Sequence, residues 1–451
     1  MYLHDCLPLP WRALRALERA RLAWPLGRAL VPRGDAAAGA ITLAALGDVF
    51  VKEAPRTAAP ALFDGLAGTL GGADLVCCNL EAPIAGAEWP AASLGPSLRA
   101  AAGTARLLHA AGVGVVNVAG NHALDAGVAG FEESLGHLRA AGIEACGVAG
   151  ADGAAQLVVR ECRGLQVGFL GYCDDHAPLD AGAAGRRPAL AEPEVMREEV
   201  AAAAARVDAL VVQLHWGYEF RCHPLRRHRD LARELVRRGA TLVLCHHAHV
   251  PMGVERHGDG FIAYGLGNGS FPLTPYMRAG HDWSDRSVLL EARLSRRRVE
   301  AARVVPFRLD AQGLPRAPGG LAAAHLARAI AVASARLDDD AFMRRCERAQ
   351  LVFEGAELAR AIAAARGRDA ATLDARARTL ALPRQQALMA ALETLPGAAP
   401  LATALRDLLR AVQAGGPVAQ AYDANQAALA AGADALRKLF DWRAALAARV
   451  P

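Results

Sequence analysis

The chain has 451 residues, of which 53% are hydrophobic, 22% charged and 5% aromatic, and its formal net charge is +5. This length favours about two or three domains with a sizeable core. The mild positive charge is spread along the chain and aromatic residues are sparse, which excludes the basic stripe and stacking platform of a nucleic-acid-binding protein. We therefore expect an anionic small molecule or polymer as partner, and no nucleic acid.

The N-terminal segment, residues 1–40, mixes arginines into apolar positions and lacks the continuous apolar stretch of a signal peptide. It predicts an amphipathic helix that packs on the protein, with peripheral membrane association as the alternative. No run of about 18 apolar residues occurs, so no membrane-spanning segment is expected. The nine cysteines form no Cys-x-x-Cys pair, which favours a reducing compartment and predicts a cytoplasmic protein.

Short apolar runs alternate with helical patterns from residue 41 to residue 310, which predicts an α/β fold with much parallel strand pairing. A later pair of runs, Ser287–Leu294 and Val299–Phe307, predicts two antiparallel strands. The earlier predicted strands are Ile41–Leu46, Leu75–Asn79, Val113–Val118, Gln166–Gly171, Ala209–Leu214, Thr241–Cys245 and Gly260–Tyr264, with helices such as Gly130–Ala141 and Leu225–Arg238 between them.

The composition changes after a linker at Leu309–Gly320. Residues 320–451 are rich in alanine, leucine and arginine and contain no dense polar cluster. They predict a helical accessory domain with breaks near Asp338–Asp340, Gly367, Pro383, Pro396–Pro400 and Gly415–Pro417.

Polar side chains follow five of the predicted strands. Each alone has an ordinary explanation as a turn former, a helix cap or a satisfied loop residue. Ligands bind at the carboxyl ends of the strands in an open α/β sheet, so the coincidence of five predicts a metal site. Imidazole, carboxylate and amide ligands suit zinc, manganese or iron. The residues are Asp48; Asn79 and Glu81; Asn121, His122 and Asp125; His215 and Glu219; and His246, His247 and His249.

These motifs resemble those of the CapA/PgsA family of capsule and poly-γ-glutamate synthesis proteins, which is similar in turn to the calcineurin-like metallophosphoesterases. The resemblance extends from about Ile41 to Phe307. It rests on the order Gly-Asp, Asn-Leu-Glu, Asn-His-x-x-Asp-x-Gly, His-Trp-Gly-x-Glu, His-His-x-His-Val and Tyr-x-Leu-Gly-Asn. It implies a four-layer α/β/β/α metallophosphatase-like sandwich over residues 41–310, with a cleft for one or two divalent ions. It does not cover the first forty residues or the helical C-terminal domain that follows the sandwich.

The resemblance also implies roles for single residues. Asp48 and His249 would ligate a first metal, and Glu81 would stand where metallophosphoesterases have a bridging Asp. His122 would protonate the leaving group, oriented by Asp125. The second metal would be held by Asn121, His215 and His247. The resemblance gives His246 no role, and from its place beside these ligands we expect it to support them or to bind a backbone carbonyl.

Two departures from the metallophosphoesterase pattern stand out. Asp48 is followed by Val49 and Phe50, so the histidine of the usual Asp-x-His motif is missing. In the late loop, Gly269 and Ser270 separate Asn268 from Phe271.

Two functions follow. The first is a metal-dependent hydrolase that uses a metal-bound hydroxide on a phosphoester or a γ-glutamyl-like amide, in capsule or polyglutamate biosynthesis. The alternative is a non-catalytic, polyanion-binding assembly factor for the same polymers. The complete His/Asn/Asp set favours the enzyme. The candidate substrate-binding residues are Asn79, Trp216, Glu219, Arg221, Asn268 and Arg286, although Trp216 also suits the core and both arginines also suit an ordinary surface.

Overall fold

The computed structural model describes residues 39–52, 62–89, 97–150, 152–176, 185–275, 277 and 283–439. Residues 1–38 lie outside this description, and the helix predicted for the N-terminal segment falls almost entirely among them. The described chain has a mixed α/β fold followed by a helical C-terminal region. None of its described helices is long and apolar enough to span a membrane.

The strands confirm every predicted apolar run and add several that were not predicted. In chain order they are β1 (Ile41–Val49), β2 (Leu75–Leu80), β3 (Val115–Asn117), β4 (Glu144–Cys146), β5 (Val148–Ala149), β6 (Val158–Cys162), β7 (Leu165–Cys173), β8 (Arg187–Pro188), β9 (Ala209–His215), β10 (Leu242–His246), β11 (Val254–His257), β12 (Gly260–Ala263), β13 (Asn268–Ser270), β14 (Arg286–Ser295), β15 (Arg298–Leu309) and β16 (Pro315–Arg316).

The strands form two main sheets. The eight-stranded sheet has the order β16-β15-β14-β1-β2-β3-β4, with β13 paired to β1. The strands β1 to β4 are parallel, whereas β14 and β15 are antiparallel as predicted. The six-stranded sheet has the order β11-β12-β10-β9-β7-β6, and β5 pairs separately with β8. The inner strands of the six-stranded sheet are parallel, and its edge strands β6 and β11 are antiparallel to their neighbours.

Alternate side chains of β1 enter two apolar clusters because successive residues of a strand point to opposite faces. Ile41 and Leu43 pack in a cluster that also contains Phe169 and Val211 of the six-stranded sheet. Leu46 packs instead in a cluster with residues of the helices, such as Leu108 and Phe131. The parallel strands are therefore buried on both faces, which explains their nearly continuous apolar sequences.

The helices between the strands are α1 (Ala67–Leu70), α2 (Thr104–Ala110), α3 (Gly127–Ala140), α4 (Pro193–Ala204) and α5 (Arg226–Arg237). The helical C-terminal region contains α6 (Gly320–Ala335), α7 (Asp340–Arg368), α8 (Ala370–Arg378), α9 (Pro383–Glu393), α10 (Ala399–Gln413) and α11 (Val418–Leu439). Short 3₁₀ helices span Asp64–Leu66 and Thr379–Ala381.

The ends of the C-terminal helices confirm the predicted breaks. The carboxylate of Asp339 accepts a hydrogen bond from the backbone N–H of Phe342 at 2.9 Å and so caps α7. Asp369 caps α8 in the same way, and Pro383 occupies the first turn of α9. These helices share a mainly apolar core that includes Leu405.

The helical C-terminal region packs against the α/β fold at several places, one of which joins α5 to the start of α7 and the turn before it. The guanidinium of Arg229 lies 2.8 Å from the carboxylate of Asp340 and donates to the backbone oxygen of Leu337 at 2.6 Å. Arg233 forms a second such pair with Asp338 at 2.7 Å.

One local prediction is wrong. The segment from Tyr264 to Phe271 was predicted to be a loop, but Asn268–Ser270 forms β13 beside the end of β1. This pairing requires glycine, because a Cβ on Gly47 would lie 1.8 Å from the backbone oxygen of Gly267. The close approach brings Asp48 into register with both Asn268 and Asn79.

Candidate metal centre

Two buried carboxylates lie side by side at the ends of β1 and β2. Asp48 and Glu81 are both fully buried, as is Asn79 between them. The side-chain amide of Asn79 donates to Asp48 Oδ1 at 2.9 Å and to Glu81 Oε2 at 3.3 Å. Asn117 on β3 donates in turn to Asn79 Oδ1 at 2.9 Å. Asn79, a predicted substrate-binding residue, therefore uses its amide to hold the two carboxylates in place.

The histidines predicted from the end of β10 surround Asp48. His246 Nδ1 lies 3.6 Å from Asp48 Oδ1, and His249 Nδ1 lies 3.3 Å from Asp48 Oδ2. The backbone N–H of His247 donates to Asp48 Oδ2 at 3.2 Å. His247 and His249 adopt φ values of +82° and +57°. Such values are strained for non-glycine residues and are concentrated at functional sites.

The structure brings Asp48, Glu81 and His215 close enough to hold one metal ion. Each offers a ligand atom, and these atoms lie within 4.8 Å of one another. The side-chain oxygen of Asn121 adjoins them, 2.8 Å from His215 Nε2. His249 Nε2 lies 3.6 Å from Glu81 Oε1.

Buried polar atoms in this group fit a bound cation. Glu81 Oε1 and the Nδ1 atoms of His215, His246 and His247 are buried without a hydrogen-bond partner. Native proteins leave few such atoms, and a site for an ion is one accepted reason for them. The donor set of carboxylates and imidazoles is suited to more than one divalent transition metal.

Electrostatics favour the same interpretation. Burial raises the pKa of Glu81 well above its usual range, since a lone carboxylate is costly in an apolar interior. Burial lowers the pKa of His249, but the charges of Glu81 and Asp48 outweigh it and raise that pKa overall. Burial also lowers the pKa values of His215 and His247, which keeps both rings neutral. Neutral imidazoles are the form that binds metals.

His122 and Asp125 form the pair that the sequence predicted. His122 Nδ1 lies 2.6 Å from Asp125 Oδ2, which also accepts from the backbone N–H of Leu98 at 2.6 Å. The His122 side chain is 16% exposed, whereas that of Asp125 is 1% exposed. Burial lowers the pKa of His122, but the hydrogen bond and charge of Asp125 raise it overall.

The other predicted substrate-binding residues do not all lie beside the carboxylates. Asn268 accepts from His249 Nδ1 at 2.9 Å and so orients that ring. Trp216 is buried and stacks on His228, with ring centroids 4.4 Å apart, and Glu219 is close enough to raise the pKa of Glu81.

The two predicted arginines contact other parts of the chain. Arg221 is 8% exposed, and its guanidinium lies 5.9 Å from the ring centroid of Phe353 in α7. Arg286 lines a separate cavity of about 260 Å³ with Arg308 and His325. The structure therefore does not place Arg286 in the Asp48 group.

The sequence analysis missed several residues that adjoin the site. The side-chain oxygen of Gln213 accepts a hydrogen bond from His246 Nε2 at 3.3 Å. The polar side chain of Gln213 in the apolar run of β9 was an available signal, as was that of Asn117 in β3. Arg384 of α9 reaches His247 Nε2 at 3.4 Å. Nothing in its Ala-rich surroundings pointed to this contact.

Comparisons with known proteins identify the family to which the chain is similar. A family model described as "Bacterial capsule synthesis protein PGA_cap" matches residues 42–272, just over half of the chain. The PGA biosynthesis protein CapA of Bacillus subtilis (strain 168) is 32% identical over 157 residues, which are 34% of this chain and 41% of that protein. The capsule biosynthesis protein CapA of Bacillus anthracis is 28% identical over 244 residues, which are 51% of this chain and 59% of that protein. The chain thus spans about half the length of these relatives.

A solved structure of a hypothetical protein from Thermus thermophilus is also similar. It is 18% identical with a TM-score of 0.39, and the match covers 59% of this chain and 99% of that one.

Proposed function

Because this chain belongs to the PGA_cap family of bacterial capsule synthesis proteins, we propose that it is a metal-dependent hydrolase of capsule or poly-γ-glutamate biosynthesis. Its substrate carries an anionic group, and the bond cleaved is a phosphoester or a γ-glutamyl-like amide. The names of the two CapA relatives support the pathway.

One observation carries the proposal: a buried Asp48, Glu81 and His215 group has orphaned polar atoms, and His215 contacts Asn121, the residue before His122. A cation would be held by these three residues, with Asn121 and His249 adjoining. When bound, a divalent ion lowers the pKa of coordinated water towards ~7 and polarises a phosphoryl or carbonyl oxygen.

The residues of the chain have separate tasks in this scheme. Asn79 fixes the two carboxylates, and Asn268 orients His249. Asp125 engages His122 Nδ1, which leaves Nε2 as the atom that donates a proton to the departing oxygen or nitrogen. Proton donation of this kind typically contributes ~10²–10⁴ in rate.

The fold and domain assignments are part of the proposal. The shared apolar cluster between the two sheets and the second cluster with helical residues support a four-layer α/β/β/α sandwich over residues 41–310. We assign residues 320–451 to a helical accessory domain and residues 1–40 to an N-terminal segment. Cytoplasmic placement is part of the same proposal.

A second candidate is the non-catalytic assembly factor that binds a polyanion. Phe50 favours it, because this residue stands where metallophosphoesterases carry the histidine of Asp-x-His. Phe50 packs against Phe271, with ring centroids 5.4 Å apart, and so offers no ligand.

Hydrolysis assays of the wild type and a His122 variant separate the two candidates. We expect the wild type, loaded with Mn²⁺, to turn over a member of a panel of phosphoesters and γ-glutamyl amides. His122→Ala should lower turnover by ~10²–10⁴ while its metal content stays the same. His137→Ala is the matched control, since His137 lies on α3, paired with Glu133 at 3.3 Å and 35% exposed. No hydrolysis by the wild type would favour the assembly factor. Full turnover by His122→Ala would instead show that His122 is not the proton donor.

A further inference from the structure

A cationic side chain from the helical C-terminal region enters the candidate metal centre. Arg384 lies in the first turn of α9, and its backbone N–H donates to the backbone oxygen of Asp174 at 3.0 Å. Its guanidinium forms an ion pair with Asp175 and lies 5.8 Å from the ring centroid of Tyr218. Asp174, Asp175 and Tyr218 follow β7 and β9, so the ends of two strands fix the direction of this side chain.

The guanidinium is directed at one of the predicted metal ligands. Arg384 Nη1 lies 3.4 Å from His247 Nε2, at the weak end of the hydrogen-bonding range. A guanidinium has only donors, so the imidazole nitrogen that faces it must supply the lone pair. A metal ion on Nε2 would compete with Arg384 for that lone pair.

Metal binding through the other nitrogen of His247 would also conflict with Arg384. His247 Nδ1 is buried without a hydrogen-bond partner. If Nδ1 bound a metal, Nε2 would carry the proton, and two N–H donors would then face each other across 3.4 Å. In either tautomer, a metal ion on His247 requires the Arg384 guanidinium to move away from Nε2, which disturbs its ion pair with Asp175.

The charges of the ligands also favour a single cation. Asp48 and Glu81 supply two negative charges, which balance one divalent ion. A second divalent ion beside His247 would lie next to the positive charge of Arg384, and like charges at short range in a protein interior repel strongly.

We propose that Arg384 takes the place of a second metal ion, so that the centre holds one divalent cation at Asp48, Glu81 and His215 and a guanidinium on the His247 side. An anionic group of the substrate would then meet one metal ion and one arginine. This inference rests on the proposed function, which already requires the first cation. It gives the helical C-terminal region a direct part in the site.

Metal stoichiometry tests this assignment without any assay of turnover. The full-length chain, freed of metal by a chelator, is titrated with Mn²⁺ by calorimetry, and its electron paramagnetic resonance spectrum is recorded in excess Mn²⁺. We expect the wild type to bind one equivalent and to show the spectrum of isolated Mn²⁺ ions. Arg384→Gln should bind a second equivalent at least tenfold more tightly than the wild type does.

Arg366→Gln is the matched control. Arg366 also lies in the helical C-terminal region, but it pairs with the exposed carboxylate of Asp423 at 3.1 Å. This variant should bind one equivalent.

The outcomes are distinct. A spin-coupled pair of Mn²⁺ ions in the wild type overturns the inference and leaves the proposed function intact, and so does a natively folded Arg384→Gln that binds one equivalent. If Arg384→Gln does not fold, the wild-type spectrum decides alone. Absence of any bound Mn²⁺ in all three proteins overturns the inference together with the proposed function.

Discussion

The carboxyl ends of the strands bury a group of polar side chains, whereas the core of the helical C-terminal region is mainly apolar. At the strand ends, Asp48, Glu81 and His215 are almost completely buried, and some of their polar atoms lack partners. In the helical region, the core contains apolar side chains such as Leu405 and Ile362, and charged pairs such as Arg366–Asp423 lie at the surface. Buried polar groups without hydrogen-bond partners are explained where a ligand can bind them, as at the strand ends. Apolar packing stabilises the helical region. Arg384 belongs to the second region but acts in the first.

The largest effect on stability is expected from the core of the helical region. Leu405 in α10 is fully buried, and Leu405→Ala should lower the free energy of unfolding by about 2–5 kcal/mol because it leaves a cavity. Urea denaturation followed by circular dichroism measures this change. Leu321→Ala is the matched control, since Leu321 in α6 is 87% exposed, and it should change stability by less than about 0.5 kcal/mol. Equal effects of the two variants would contradict the packing described for α10.

A smaller change in free energy is expected at the strand ends, where the affinity for metal should fall. Asn79→Ala removes the amide that bridges Asp48 and Glu81, and the loss of such an orienting partner typically weakens metal binding by about 10–100-fold. Calorimetric titration with Mn²⁺ measures the affinity. Asn425→Ala in α11 removes an amide that donates to the backbone oxygen of Ala421, one turn earlier in the same helix, and it should leave the affinity unchanged. Unaltered binding by Asn79→Ala would show that Asn79 does not orient the ligands.

A third effect, on the pH dependence of stability, concerns a carboxylate in α7 near Arg384 and Arg221. Burial raises the pKa of Glu354 in α7 to about 7, although Arg384 and Arg221 oppose this rise. The folded state therefore binds a proton that the unfolded state has released, and stability falls as pH rises from about 4.5 to 7. Glu354→Gln removes this loss, so it should stabilise the protein by about 2–3 kcal/mol more at pH 8 than at pH 5. Parallel stability curves from urea denaturation at the two pH values would contradict the predicted shift.

Much of the sheet was predictable because its signals are local. Strands such as β1, β9 and β10 are mostly apolar, and each carries a polar residue at its last or second-to-last position. The strand β13 was missed because Asn268–Ser270 contains no strong strand former. Its pairing depends on the lack of a side chain at Gly47, which is more than two hundred residues away in sequence.

The candidate site was predictable for a similar reason. Asp48, Glu81, His215 and His249 each end or follow a parallel strand, and parallel strands bring such ends to one edge. Arg384 was not predictable, because a single arginine in a helical sequence carries no local signal. Its partner Asp175 is 209 residues away, and only the packed structure joins them.

The central claim is that Asp48, Glu81 and His215 form a metal centre. The most direct test is the metal content of the purified protein, measured by inductively coupled plasma mass spectrometry and compared with an Asp48→Asn/His215→Ala variant. We predict one equivalent of zinc, manganese or iron in the wild type, and none in a variant that retains its circular dichroism spectrum. A wild type that holds no metal, even after incubation with each of these ions, would contradict the claim.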